Sequence, residues 1–168
     1  MMLTSVHGTY KGAHGFTLVE ILLVMLVIAI SLAMVVPNLT KSHEQILLDE
    51  GNRLTALLSY ANDVSTSTGH AIAWDQTPEG YRFLERDQNL NVWKPLLDDP
   101  SLRERILPEG VQIEYVLEQG KSADQLAKVI MNPSGVQAPF EIGLHNDSQH
   151  IKVIGNLIGQ ISMTRTEQ

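Results

Sequence analysis

The 168-residue chain has no cysteine, so no disulfide framework holds it together and its stability must come from packing. Positive charge is scarce at its start, where Lys11 is the only Lys or Arg before residue 41. An ordinary secretory signal peptide opens on a basic stretch, and this chain has little of one. Basic residues are outnumbered throughout, 12 against 19 acidic, for a formal charge of −7. Affinity for phosphate backbones rests on Lys and Arg, so nucleic acid is not an expected partner. Catalytic patterns are missing too: there is no Gly-x-Ser-x-Gly elbow, no complete phosphate-binding glycine loop and no His-Glu-x-x-His zinc pattern. No enzymatic activity, cofactor or metal is expected on these grounds.

What the chain does have is a long apolar run. From Ile21 to Val36 the only polar side chain is Ser31. The 21 residues from Phe16 to Val36 would form a helix of roughly 31 Å, about the thickness of a bilayer's hydrocarbon core. Glu20 lies at the mouth of this run, where a carboxylate is costly without a partner. The intact chain offers no nearby cation. A cut after Gly15 would create an α-amino cation at Phe16, four residues and about one helical turn from Glu20.

Gly15-Phe16-Thr17-Leu18-Val19-Glu20 followed by the apolar run resembles the class III signal of type IV pilins and of type II secretion pseudopilins. The resemblance implies cleavage by prepilin peptidase between Gly15 and Phe16 and N-methylation of Phe16. It also implies a role for Glu20 in filament assembly, by pairing with a neighbour's N-terminal amine. Pro37 matches the helix-kinking proline that the family commonly carries, and Pro does bend or end a helix by removing a donor and crowding a carbonyl. An ordinary signal peptide cut near Ser31-Leu32-Ala33 is the alternative, and it leaves Glu20 without a reason. Charges orient the segment weakly, with Lys11 on one side and Lys41 on the other, so it is the resemblance that puts the later residues in the periplasm.

The 131 residues beyond Pro37 suffice for one globular domain. Loss of Lys11 with a leader would take the side-chain charge of the mature chain to −8. Leu39, Ile46, Leu47, Leu54, Leu57, Leu58, Ala61 and Val64 recur at helical spacing, and the Ser65–Gly69 cluster should end a helix that runs to about residue 65. Gly51 weakens its interior by about 1 kcal/mol against Ala. After Gly69 the period becomes two, at Ile72 and Trp74, Tyr81 and Phe83, Val111 to Tyr115, Phe140 to Leu144, and Ile151 onward. Thr77-Pro78-Glu79-Gly80 reads as a turn, and Gly155 and Gly159 bound another. Ser101 to Glu104 has capping-box spacing and predicts a short helix to Leu107, while residues 117–128 read as a mobile loop.

The expected fold class is α+β, a long N-terminal helix packed against a C-terminal antiparallel β domain of two sheets. The expected divisions are a leader over 1–15, a membrane and filament-core helix over 16–37, an amphipathic helix over 38–68 and a periplasmic β domain over 69–168. Val129 to Gly135, Pro139 to Ile142 and the Gly155 to Gly159 turn are similar to H-type pseudopilins. That resemblance implies a minor pseudopilin near the pseudopilus tip, helping to export folded proteins across the outer membrane. Its implied partners are the major shaft subunit, the tip minor pseudopilins, prepilin peptidase, the inner-membrane assembly platform and the membrane itself, crossed once. A minor pilin of a type IV pilus, initiating fibres or taking up DNA, is the alternative. His145, Asp147 and His150 could converge on a metal, although Asn146 to Gln149 is also an ordinary polar turn. Trp74 and Trp93 read as core or interface aromatics.

Overall fold

The computed structural model describes residues 17–35, 42–122 and 128–166. Two compact units result, one ending at Thr40 and the other starting at Lys41.

The first unit is described as the 18-residue helix α1, Leu18–Val35, which takes in Glu20 and the apolar run as far as Val35. Thr17 starts it, its carbonyl accepting from the Glu20 and Ile21 amides at 3.0 and 3.3 Å. The Thr17 hydroxyl also lies 3.3 Å from the Glu20 amide, so first-turn donors that would otherwise lack partners are met. Ser31 returns its hydroxyl to the Val27 carbonyl at 2.8 Å, which hides the one polar side chain of the run within the helix. Among the described residues no helix is long and apolar enough to cross a membrane.

The second unit opens with α2, His43–Thr68, capped by the Ser42 hydroxyl, which accepts from the Gln45 amide at 3.2 Å. Gly69 ends it at φ +76°, a left-handed conformation that costs glycine nothing, and its amide closes on the Ser65 carbonyl. The helix therefore runs through the Ser65–Thr68 cluster, because the cap lies at the glycine and not at the first serine. Leu47, Leu54, Leu58 and Ala61 are fully buried, with Ile46, Leu57 and Val64 flanking them.

Among the described residues ten strands in two antiparallel sheets cover that stripe, as the α+β reading expected. In one sheet β1, Ile72–Thr77, and β2, Gly80–Arg86, form a hairpin closed by Pro78-Glu79. β3, Trp93–Pro95, and β4, Arg105–Ile106, pair with β2, and β7, Val129–Met131, pairs with β1. The other sheet is ordered β10, Ile161–Arg165; β9, His150–Gly155; β8, Phe140–His145; β5, Gln112–Glu118; and β6, Lys121–Ser122. Trp74, Tyr81, Phe83, Met131, Ile142, Leu144, Ile151 and Val153 meet α2 in one core. Tyr81 stands edge-on to Phe83, their rings 6.2 Å apart.

Two local expectations are corrected. The capping box at Ser101 does not cap a helix: Asp99 caps a single 3-10 turn, Pro100–Leu102, by accepting from the Ser101 amide at 2.8 Å. The residues after it join β2, where Ile106 pairs with Gly80 and the Leu107 amide bonds to the Glu79 carbonyl. Sheet pairing thus takes the backbone groups a helix would need. Residues 117–122 are also not a loop, because β5 turns through Gln119 and Gly120, both at positive φ, into β6. Residues at positive φ in a two-residue connection match the twist of a tight hairpin.

Gly51, counted as a weak point of α2, has a packing reason. It is buried, and a Cβ there would overlap Ile151 Cδ1 and come within 2.6 Å of Met163 Sδ, so its absence lets β9 and β10 lie against the helix. Gly51→Leu is expected to lower unfolding free energy by about 1–3 kcal/mol in denaturant titration, although Leu is the better helix former. Gly51→Ala should be nearly neutral, because the two flexible side-chain ends can give way to one methyl.

Candidate assembly site

Glu20 sits in the first turn of α1 with its side chain exposed. The amides of that turn point toward it, and their partial positive charge favours an anion at this end of a helix. Its carboxylate has no ion-pair partner among the described residues. Gly15, Phe16 and Pro37 lie outside the described residues. Within α1, then, one acid is displayed at the N-terminal end of a helix whose other side chains from Leu18 to Ile30 are apolar and exposed. Such a surface needs an apolar surrounding and one cation.

The β8–β9 turn holding His145, Asp147 and His150 is built on Asn146 instead. The buried Asn146 side chain accepts from the Ser148 and Gln149 amides at 3.0 and 2.8 Å and donates to the His43 carbonyl at 2.9 Å. The His145 and His150 rings stack at 5.6 Å, His150 Nδ1 lies 2.9 Å from Glu114 Oε2, and Asp147 is exposed. Among the described residues no group of three or more His, Asp and Glu could hold a metal. His70 faces Glu85 at 2.5 Å, and Trp93 carries Arg86 at 5.8 Å from its ring centre.

Glu50 is the polar residue the helical pattern did not single out. It is almost wholly buried on the sheet-facing side of α2, accepting from the Tyr81 hydroxyl at 2.8 Å and from Arg53 at 2.6 Å. Burial, and then the Glu50 charge, raise the Tyr81 phenol far above its ordinary value of 10.0. A phenol raised on folding contributes stability that is whole below the unfolded value and fades as pH climbs through the folded one. Tyr81→Phe is expected to cost about 1–3 kcal/mol at neutral pH and to flatten the loss of stability above pH ~10, read by thermal unfolding across pH.

Residues 10–36 match the family described as the prokaryotic N-terminal methylation motif. The chain is 25% identical to type II secretion system protein H of Pseudomonas aeruginosa over 149 residues, which covers 80% of this chain and 84% of that protein. It is 23% identical to the protein of that name from Aeromonas hydrophila over 155 residues, covering 83% and 85%. Its fold matches the crystal structure of the minor pseudopilin EpsH from the type II secretion system of Vibrio cholerae, with a TM-score of 0.64 at 15% identity over 76% of this chain and 99% of that one. An N-terminal methylation motif leading into an apolar helix, followed by a helix-backed pair of antiparallel sheets, is the arrangement that likens this chain to pilin-like proteins. Within that class its similarity is to the type II secretion system protein H of these two bacteria and, in fold, to the minor pseudopilin EpsH.

Proposed function

We propose that this chain serves as a structural subunit of the type II secretion pseudopilus, near its tip, where it joins the tip minor pseudopilins to the major-subunit shaft. Its work is packing, with no bond chemistry of its own. Prepilin peptidase cuts between Gly15 and Phe16, and Phe16 is N-methylated. The apolar helix anchors the chain once in the inner membrane, with the β domain in the periplasm. The assembly platform then draws it into the filament, where the helix exchanges lipid for neighbouring helices at little hydrophobic cost, since both surroundings are apolar. Glu20 sets axial register by pairing with a neighbour's N-terminal amine, and Pro37 bends the chain where helix leaves membrane.

The observation that carries this reading is Glu20, a lone acid in the first turn of an otherwise apolar helix, four residues from the N-terminus that cleavage would create. Intact-mass spectrometry of the protein from its native membrane tests it. The expected N-terminus is a methylated Phe16; a chain beginning at Met1, or trimmed after Ala33, would refute the proposal.

A further inference from the structure

With cysteine absent, the sulfur of this chain is thioether sulfur alone, so two-electron oxidation falls on methionine. Of the six methionines, Met1 and Met2 precede the proposed cut, and Met25 and Met34 lie in the apolar run. The second unit holds the other two. Met131, on β7, is fully buried, whereas Met163, on β10, is half-buried. Among the described residues β10 is an edge strand, paired with β9 alone.

Met163 reaches α2 through the gap that Gly51 leaves. A Cβ at Gly51 would lie 2.6 Å from Met163 Sδ and 3.6 Å from its Cγ, so the sulfur is the part of that side chain nearest the helix there. Ile151 Cδ1 shares the gap. Neither wall offers a free donor: Ile151 ends in a methyl group, the Gly51 amide is used inside the helix, and the Thr55 hydroxyl, one turn on, is committed to the Gly51 carbonyl at 2.8 Å. A polarizable, nearly apolar thioether suits such a place. A sulfoxide does not, because its oxygen is a strong acceptor that would be buried without a donor, and the added volume presses on helix backbone. β10 has few other ties on this side. Ile161 leans on the core, and Arg165 pairs with Glu44 at 3.6 Å, but both charged side chains are exposed and such pairs hold little.

We infer that Met163 is an oxidation site whose state decides whether β10 stays packed on α2. A hydroperoxide is the oxidant. The Met163 sulfur takes its terminal oxygen, the S–O bond forming as the O–O bond breaks, and the remaining oxygen keeps the proton and leaves as water or an alcohol. Sulfur loses two electrons and the peroxide gains them. Methionine sulfoxide reductases return the sulfur to the thioether, so the contact can be remade.

The test uses the full chain, isolated from membranes in detergent micelles, treated with hydrogen peroxide and followed by peptide mapping and amide hydrogen exchange. Sulfoxide is expected at Met163 about tenfold faster than at Met131, because the first is half in water and the second is reached only when the core opens. The β10 amides should then exchange about tenfold faster while those of β1 and β2 keep their protection, and a methionine sulfoxide reductase should reverse the change. Met163→Leu, which nearly keeps the volume and removes the sulfur, should fold as the parent does and show no response of β10 to peroxide. Met163→Gln, which puts a polar chain of similar length in the gap, should loosen β10 with no oxidant present. Equal oxidation rates at the two methionines, a Met163 sulfoxide with β10 still protected, or a β10 response that persists in Met163→Leu would overturn the inference. None of these readouts involves the filament, so the inference stands or falls apart from that reading.

Discussion

Glu20→Ala is expected to leave the protein inserted in the membrane and to deplete it from sheared filaments by roughly a thousandfold. The two halves of this result have separate causes. A carboxylate within an inserted helix costs about 2.5–3.5 kcal/mol at the centre and less toward an interface, so its removal can only ease insertion. Assembly loses an attraction between carboxylate and ammonium, which at about 4 Å and an effective dielectric of 20 amounts to about 4 kcal/mol. Glu20→Gln should behave like the alanine variant, because it keeps shape and loses charge. Immunoblots of membrane and sheared fractions give both readouts. If the alanine variant entered filaments as the parent does, Glu20 would have no part in register.

The second large effect is expected at Gly15, the residue before the proposed cut. Gly15→Leu should abolish processing, so that intact mass shows the chain still carrying residues 1–15. Such a chain has no amine at Phe16, and its only leader cation, Lys11, is nine residues from Glu20. On electrostatic grounds it should therefore fail to assemble, having no N-terminal amine to offer a neighbour's acid. The double variant loses its own amine, offered to one neighbour, and its own acid, offered to another, so it should be depleted at least as far as either single one. Normal maturation of Gly15→Leu would move the cut elsewhere.

Periodicity made α2 and most strands legible, because burial on one face imposes it: Leu47, Leu54, Leu58 and Ala61 lie where a stripe of period 3.6 puts them. The same logic located the β1–β2 and β8–β9 strands and the turns at Pro78 and Gly159. It failed where local and long-range bonds compete. Ser101 to Glu104 has the composition of a helix start, yet pairing of Ile106 with Gly80, 26 positions upstream, took the backbone. Glu50 was illegible because its burial depends on Tyr81, 31 residues away, and no local pattern marks an acid that a distant hydroxyl will satisfy. Gly51 read as a helix weakness for the same reason, since the strands it admits lie about a hundred residues along. At the candidate site, composition alone marked Glu20, because an acid beside so long an apolar run is conspicuous without any fold.

The helix α2 is latched to the sheets near both ends. Asn146 holds the His43 carbonyl at one, and at the other Ser65 Oγ lies 2.9 Å from the Met131 carbonyl. Traction delivered through the preceding residues would therefore load both latches at once, sliding the helix along the sheets instead of lifting one end free. A body fastened in this way resists shear as a unit, which would suit a part loaded through its first helix.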